Sequence, residues 1–575
     1  MVRQRMARVR FIIGATAITA AFAVACLLMV RRPIATSSSS EPTNSLSSQA
    51  LKDSLGRGHR LAQIYCQSCH LLPDPSLLDQ TSWDQGVLPE MAAWLGLVKP
   101  KLERSTSGEI ISEANVFPPS PLISQDDWEA IRQYYKQTSP DKPRPQPVRP
   151  RIQSKLQQFK IKKLAYHREV PMTTLVKIDA QRLYVGDAMT RTLEALNPAG
   201  ERQFAVEFDS APISLRVQNP MSNVQSPASL DTGFRALDLT LVGRLFPSDD
   251  TKGKLLKILV QGPLSNVQHR TPLGIEQRSL DSVAAPRITT VLRQLRRPTD
   301  TTFADLNGDG REDFIVCQFG NRVGRLSWFE NLGDGKFEEH LLADRPGAIR
   351  SQVYDANGDG MPDIFALFGQ AREGVYLFLN RGKSAERTAP QFEETAVIEQ
   401  HPAFGYAYFE LVDFNHDGHI DLLTVNGDNG DYSSQPKGYH GVRIYLNDGR
   451  NHFSEKWFFP LNGAYKALAR DFDGDGDLDI AAISYFPDYQ NSPEESFVYL
   501  ENIGDWQFAA YSFPECTAGR WITMDAGDLD GDGDTDIVLG SLILGPTATF
   551  IPPALQASWK TNHLPILMLE NVQAK

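Results

Sequence analysis

The nonapeptide Asp471-Phe472-Asp473-Gly474-Asp475-Gly476-Asp477-Leu478-Asp479 decides the fold of this 575-residue chain, because its pattern occurs five times. The shared pattern is Asp-x-[Asn/Asp]-x-Asp-Gly-x-x-Asp, and its copies span 305–313, 355–363, 413–421, 471–479 and 528–536. Their first aspartates are 50, 58, 58 and 57 residues apart. Self-similarity at such a spacing predicts a radial or stacked array of one repeated unit.

Strand-like sequence surrounds each copy of the pattern. An apolar run follows it at once, and a second run then ends at an asparagine, at Asn331, Asn380, Asn447, Asn502 and Asn571. Two units without the aspartates, at 175–197 and 234–260, contain similar runs. Two plus five units predict an all-β propeller of about seven blades over 156–575, with six or eight blades as alternatives. The basic insertion 264–298 fits no blade in this scheme.

The repeated loops have the ligand pattern of a cation site. Oxygen-bearing side chains at positions one, three and five, with glycine at position six, suit a hard cation such as Ca²⁺. An EF-hand is excluded, because it needs a glutamate at position twelve and helices on either side. The pattern resembles the FG-GAP/VCBS repeat, which builds the β-propellers of integrin α-subunits. This resemblance implies that each loop joins two strands of one blade and that the aspartate at position nine completes a calcium site.

The resemblance assigns positions one, three, five and nine of each loop as ligands for up to five Ca²⁺ ions. The residues are Asp305, Asn307, Asp309, Asp313, Asp355, Asn357, Asp359, Asp363, Asp413, Asn415, Asp417, Asp421, Asp471, Asp473, Asp475, Asp479, Asp528, Asp530, Asp532 and Asp536. The last two loops hold four carboxylates each, so their mutual repulsion should open the turn without a cation. The alternative for any single loop is a metal-free turn, since Asp and Gly also favour tight turns.

A second motif, Cys66-Gln67-Ser68-Cys69-His70, lies upstream of the repeats. Cys-x-x-Cys-His is the arrangement that attaches one c-type haem covalently, with the histidine as the proximal iron ligand. A zinc half-site needs a second Cys/His pair nearby, and a thioredoxin-type pair needs a βαβ context. Neither context is present, so covalent haem is the prediction. Cys317 and Cys516 lie in distant repeats and are expected to be unpaired buried thiols.

The haem motif is expected to lie in a small all-α domain over 51–140. Helices are predicted at 58–65 and 124–137, the second with Ser124 as its N-cap. This resembles the class I cytochrome c fold, in which the terminal helices cross at a glycine, here Gly58. The resemblance implies that Met91, in a run similar to the ligand-bearing loop of that family, is the sixth iron ligand. The alternative is that Met91 packs against the macrocycle.

The N-terminal sequence predicts export. Residues 11–30 carry no charge and are long enough to cross a bilayer as a helix. Four arginines precede this run and two follow it, which favours a cytoplasmic tip and a membrane anchor over 1–34. A cleaved signal peptide, with Ala23-Val24-Ala25 at the cleavage site, is the alternative. A Ser-rich linker at 35–50 and a Pro-rich linker at 141–155 separate the parts.

Together these features predict a multidomain protein with a transmembrane helix, an all-α cytochrome c domain and an all-β propeller. The leading hypothesis is a monohaem cytochrome at the bacterial inner membrane, exposed to the periplasm, that exchanges single electrons with a redox partner protein. The propeller would be the scaffold that binds this partner, a polymer or a surface ligand. One alternative is a propeller dehydrogenase that passes electrons to its own haem. Another is an adhesion or redox-sensing protein, secreted or at the cell surface. A net charge of −12 argues against a nucleic-acid partner.

Overall fold

The computed structural model describes residues 48–100, 115–218, 234–261, 286–383, 389–430, 435–546 and 550–572. The chain divides into two compact units, Met1–Leu51 and Lys52–Lys575. The predicted membrane-spanning run 11–30 and nearly all of the linker 35–50 lie outside the described residues. Within the described ranges, no helix is both long and apolar enough to cross a bilayer.

Seven four-stranded antiparallel sheets form the larger part of the second unit, which confirms the predicted count of seven blades. Blades 1 and 2 contain β2 (Thr173–Ile178), β3 (Leu183–Asp187), β4 (Thr192–Leu196), β5 (Arg202–Glu207), β6 (Pro212–Gln218), β7 (Phe234–Leu241), β8 (Gly253–Gln261) and β9 (Arg287–Leu295). These are the two units that lack the aspartate pattern. The predicted insertion 264–298 therefore contains β9, the outer strand of blade 2, while 262–285 lies outside the described residues.

Blades 3 to 7 carry the five aspartate loops. Blades 3 to 5 contain β10 (Pro298–Ala304), β11 (Asp313–Gln318), β12 (Arg325–Gly333), β13 (Lys336–Ala343), β14 (Ala348–Tyr354), β15 (Asp363–Phe368), β16 (Glu373–Asn380), β17 (Phe392–Gln400), β18 (Tyr406–Val412), β19 (Asp421–Asn426), β20 (Gly441–Asn447) and β21 (Phe453–Pro460). Blades 6 and 7 contain β22 (Ala464–Arg470), β23 (Asp479–Ser484), β24 (Phe497–Asn502), β25 (Phe508–Tyr511), β26 (Trp521–Gly527), β27 (Asp536–Ser541) and β28 (Ile566–Asn571). The last blade is completed by β1 (Phe159–Lys162), so the first strand of the chain closes the ring against the last.

The burial of the strands explains their sequence patterns. The second strand of each aspartate-bearing blade is buried along its whole length, as in β15 and β23. Both faces of these strands pack against neighbouring blades, so their sequences are continuous apolar runs. Outer strands such as β17 are largely exposed and carry charged residues. The first strands, β2, β6, β10, β14, β18, β22 and β26, surround the centre of the ring.

A group of short helices precedes the propeller. They are α1 (Ser48–Tyr65), α2 (Leu88–Trp94) and α3 (Gln125–Thr138), and α4 (Pro553–Asn562) lies between the last two strands of the chain. Ser124 caps α3, as predicted: its Oγ accepts a hydrogen bond from the Asp127 main-chain N–H at 3.1 Å. At Gly58, α1 crosses α3 so closely that a Cβ would lie 2.3 Å from the Ala130 carbonyl oxygen. This glycine therefore allows the two helices to touch.

The Pro-rich segment between the helices and the propeller lies against the blades. The Arg149 guanidinium forms a 2.8 Å ion pair with Glu495, whose side chain is fully buried. Further along, the Gln153 N–H donates to the Ala510 carbonyl at 2.8 Å. A Cβ on Gly438 would lie 2.3 Å from the Pro145 carbonyl oxygen. The segment contains no helix or named strand, and these contacts dock it on the surface of the propeller; its extended conformation stays a prediction.

Candidate functional sites

The Cys-x-x-Cys-His motif forms the turn that follows α1. Cys66 is half-buried, Cys69 is exposed, and both are free thiols. The Cys69 N–H approaches the Cys66 carbonyl at 3.4 Å, and the Ser68 hydroxyl donates to the Tyr65 carbonyl at 2.7 Å. Burial, with the nearby Cys69, raises the pKa of Cys66 to about 11, so this thiol is protonated at neutral pH. Cys317 and Cys516 are free and buried, as predicted, and the fifth cysteine, Cys26, lies outside the described residues.

The imidazole of His70 is in the tautomer that a haem ligand needs. Its Nδ1 lies 2.8 Å from the Leu71 carbonyl oxygen, which can only accept, so Nδ1 carries the proton. The lone pair is therefore on Nε2, which has no hydrogen-bond partner within the described ranges. Burial lowers the pKa of His70, which favours the neutral form that binds metals. The donor set and this tautomer fit a covalently attached haem.

Met91 is on a helix and not in a loop, so the predicted loop conformation was wrong. Residues Ser82–Val87 form a π-helical turn that continues directly into α2, and Pro89 occupies the first turn of α2. Proline favours the first turn of a helix, because its missing N–H has no partner there. Met91 is partly buried and packs against the helical core that also contacts Cys66 and Leu72. Its ligation of iron remains a prediction.

A loop of the propeller lies beside the haem motif. Ala403, between β17 and β18, packs against the helical core. The neighbouring His401 ring contacts Phe404 and Tyr439 at 5.6 and 5.3 Å between centroids. Burial and the nearby His70 lower the pKa of His401 to about 4. The repeat pattern gives no indication of this contact, because residues 401–404 lie outside every repeated loop.

The five aspartate loops connect the first and second strands of blades 3 to 7, as the FG-GAP resemblance implies. The glycine at position six has a positive φ in every loop, between 81° and 99°, where a residue with a Cβ would be strained. The side chain at position one turns back to accept main-chain N–H groups; in the second loop, Asp355 accepts from Gly358, Asp359 and Gly360. The oxygen-bearing side chains at positions one, three and five thus surround a tight turn.

The aspartate at position nine has a different role from the others. In all five loops it is fully buried, and its two oxygens accept two main-chain N–H groups. One donor is the residue at position two, at 2.9 to 3.3 Å, and the other is the asparagine that ends the third strand, at 2.7 to 2.9 Å. That asparagine returns a side-chain bond to the carbonyl at position eight. We call this arrangement the Asp–Asn latch. Ligation of calcium by position nine stays a prediction.

The loops fall into two groups according to position three. In the first three loops this residue is asparagine, and its Nδ2 donates to the aspartate at position five at 2.8 to 3.1 Å. In the last two loops it is an aspartate, which has no such donor. Burial and neighbouring carboxylates raise the pKa of both Asp473 and Asp530. Ligand atoms of Asp471, Asp473 and Asp475 lie within 4.8 Å of one another, as do those of Asp528, Asp530 and Asp536.

Two acidic features were not predicted from the sequence. Asp534, at position seven of the last loop, has its pKa raised to about 7 by burial and by Asp532. On blade 3, Glu330, Glu338 and His340 bring their ligand atoms within 4.8 Å of one another. Glu330 already accepts from Asn307 Nδ2 and pairs with His340 Nε2, each at 2.9 Å. This cluster is held together by its own hydrogen bonds.

A family model described as FG-GAP-like repeat matches the chain four times, over residues 305–366, 355–424, 413–482 and 471–539. The repeats over residues 305–539 are therefore FG-GAP-like, as predicted, and they belong to a seven-bladed β-propeller. The matched ranges begin at the first aspartate of each of four loops. The fifth loop falls at the end of the last match.

Solved structures that match this chain are distant in sequence, and their TM-scores are below 0.5. The crystal structure of BBS1N in complex with ARL6DN, soaked with mercury, is 10% identical, with a TM-score of 0.39, over 72% of this chain and 98% of that chain. A luciferin-regenerating enzyme is 13% identical, with a TM-score of 0.32, over 62% of this chain and 99% of that chain. A search of curated proteins gave no match.

Proposed function

We propose that this protein is an exported, membrane-anchored monohaem c-type cytochrome that transfers single electrons, with a calcium-stabilised propeller as its partner-binding scaffold. The observation that carries the proposal is the Cys-x-x-Cys-His turn, in which the Leu71 carbonyl holds the proton of His70 on Nδ1. A bound haem supplies a one-electron iron couple. Cys66 and Cys69 would anchor it covalently, and Nε2 of His70 would bind the iron.

The sixth iron ligand in this proposal is Met91. It lies on α2 and packs against the same core as Cys66. His401 is another side chain near the motif that has a ligating atom. However, its Nδ1 accepts the Ala403 N–H at 3.3 Å, which places the proton on Nε2 and favours a hydrogen-bond donor over an iron ligand. His401 and Ala403 then form part of the surface on which the haem motif docks.

The propeller would be stabilised by Ca²⁺ in up to five loops, with the two all-aspartate loops depending on it most. Its blades would bind a redox partner protein, a polymer or a surface ligand. Residues 11–30 would anchor the chain in the bacterial inner membrane and leave the remainder in the periplasm. The net charge of −12 favours a partner with a basic docking surface.

Covalent haem is tested by producing the exported chain in a bacterium that expresses a c-type haem maturation system. We expect one haem per chain that survives denaturing electrophoresis. The double variant Cys66→Ala/Cys69→Ala should lose it, and the control Cys516→Ala should keep it. A wild-type chain without covalent haem, or a double variant that retains it, would contradict the proposal.

Electron transfer is tested on the oxidised holoprotein, followed by its visible absorption under anaerobic conditions. Protein and small-molecule fractions of a periplasmic extract are added separately. Reduction by the protein fraction alone is the expected result for an electron carrier. Reduction by the small-molecule fraction alone would replace the carrier with a substrate-oxidising enzyme.

A further inference from the structure

The seven inner strands surround a cavity of about 1200 Å³ at the centre of the propeller. Equivalent positions on three consecutive blades contribute Arg350, Tyr408 and Lys466 to its wall. Their equivalence follows from the register, since each is the first regularly paired residue after a bulge near the start of its strand. Tyr408 therefore lies between two cationic side chains that come from the blades on either side.

Neither cation is in direct contact with an anionic side chain of the described residues. The guanidinium carbon of Arg350 lies 4.7 Å from the centroid of the Tyr408 ring, and Nζ of Lys466 lies 5.1 Å from it. Within the described part of the chain, neither side chain forms a hydrogen bond or an ion pair. The Nε atom of Arg350 is buried without any partner. A buried donor left unpaired costs free energy, so the structure gives this guanidinium no compensating hydrogen bond.

The nearby carboxylates are already engaged elsewhere. Glu410 accepts from the Ala469 N–H at 3.1 Å and from Arg470 at 2.8 Å. Asp525 accepts from the Ile178 N–H at 2.8 Å and from Lys177 at 3.2 Å.

Asp300 accepts from the Ser214 hydroxyl at 2.9 Å and from the Ser351 N–H at 3.3 Å. The centre of an acidic protein thus presents two cations that no carboxylate of the described residues contacts, although Tyr408, Asp300 and Glu410 act on Arg350 at longer range and raise its pKa against the effect of burial. Burial, more than any neighbouring charge, lowers the pKa of Lys466 to about 8, which is the shift expected of an ammonium group without a counter-ion.

We propose that this cavity binds a small organic oxyanion, a carboxylate or a phosphate, between Arg350 and Lys466 and against the ring of Tyr408. The planar guanidinium can offer its two terminal nitrogens to two ligand oxygens, and the ammonium adds a second charge. The tyrosine ring offers a flat apolar face to the body of the ligand. The cavity exceeds the volume of an isolated inorganic ion many times over, so a molecule with its own carbon skeleton fits better.

The test is isothermal titration calorimetry on the full holoprotein with succinate, an organic phosphate monoester, inorganic phosphate and chloride as separate probes. We expect succinate or the phosphate monoester to bind, and the stronger of the two identifies the oxyanion. Arg350→Met and Lys466→Met should each weaken that binding by about tenfold to a hundredfold, the usual effect of losing a charged hydrogen-bond partner. The control Arg216→Met, which removes a cavity cation paired with Glu312, should leave it within about threefold.

Haem content and thermal unfolding are measured for every variant. A loss of binding can then be distinguished from a loss of haem or of folding. Arg350→Lys keeps the positive charge but loses the planar guanidinium that can form two parallel hydrogen bonds, so we expect intermediate affinity. This variant tests the proposal even if Arg350→Met fails to fold. Binding of chloride or inorganic phosphate alone, or no binding by any probe at millimolar concentration, would overturn the proposal. Full affinity in folded Arg350→Met and Lys466→Met variants would overturn it as well.

Discussion

At position nine of each aspartate loop, one carboxylate holds two segments of main chain that are otherwise far apart in sequence. Asp363 accepts from the Ala356 N–H at 2.9 Å and from the Asn380 N–H at 2.7 Å, and it is fully buried. A buried carboxylate is costly unless both oxygens are bonded. The Asp–Asn latch therefore stabilises the blade without requiring a cation at this residue.

The latch predicts a specific loss of stability. In Asp363→Asn, one oxygen becomes an NH₂ group that faces a main-chain donor, so the free energy of unfolding should fall by about 2 to 4 kcal/mol. Chemical denaturation in a calcium-free buffer measures it. The control Asp359→Asn changes an exposed carboxylate in the same loop and should cost under about 1 kcal/mol. Equal effects of the two substitutions would rule out the latch.

Lys466 gives a pH dependence at the centre of the propeller. Its pKa is lowered from 10.5 to about 8 by burial, and it is surrounded by Tyr408, Asp525, Arg350, Glu410 and Lys177. Between these two pH values the unfolded chain binds the proton and the folded chain releases it. The contribution of this group to stability therefore rises with pH from 8 to 10.5, since the unfolded state binds more protons.

The expected size of this rise is on the order of 1 to 3 kcal/mol. Urea unfolding of the wild type and of Lys466→Met at several pH values isolates it, because the other titrating groups are common to both proteins. Burial raises the pKa of Tyr408 far above this range, so its phenol does not titrate together with Lys466. Parallel stability curves for the two proteins would contradict the prediction.

At the scale of the loops, the residue at position three decides how the turn closes. Asn357 donates from Nδ2 to Asp359 at 2.9 Å, which closes the second loop with its own side chains. Asp473 occupies the same place in the fourth loop and instead adds a carboxylate to those of Asp471 and Asp475. Like charges at this distance repel one another, so they favour a bound cation or an open turn.

A reciprocal exchange tests this difference between loops. Without calcium, Asp473→Asn should raise the melting temperature by a few degrees, because it replaces repulsion with a hydrogen bond. Asn357→Asp should lower it in the same buffer. With saturating calcium, both differences should shrink, since the ion compensates the extra charge. Thermal unfolding gives the melting temperatures of the two variants, each with chelator and with Ca²⁺. Identical responses of both variants to calcium would mean that position three has no part in binding it.

How far the sequence predicts this structure depends on whether the determinants are local. The strands that begin at Asp313, Asp363, Asp421, Asp479 and Asp536 follow a repeated pattern, so their positions and the blade count were predicted. The cap at Ser124 is also local. By contrast, Arg350, Tyr408 and Lys466 are about 58 residues apart and meet only when the ring closes. The loop at Met91 was expected from a family resemblance, whereas Pro89 lies in the first turn of α2, where proline is compatible with a helix.

At the scale of the whole molecule, the ring depends on a single strand from the beginning of the propeller. β1 pairs with β28 through four residues, from Phe159 opposite Asn571 to Lys162 opposite Met568. The Phe159 ring is buried against Phe472 and Tyr499 of blade 6, at 5.5 and 5.4 Å between centroids. One residue thus links the first strand to the last two blades.

Loss of this contact should destabilise the junction between the first and last strands of the ring more than any single blade. Phe159→Ala removes a large buried side chain at the seam, and we expect the free energy of unfolding to fall by about 3 to 5 kcal/mol. Lys160→Ala, at the exposed neighbour on the same strand, should change it by under about 0.5 kcal/mol. Hydrogen exchange of the Phe159→Ala variant should show faster exchange in both β1 and β28 than in blades 3 to 5, because the seam opens first. Uniform acceleration across all seven blades would instead mean that the ring unfolds as one cooperative unit and that β1 has no special part in closing it.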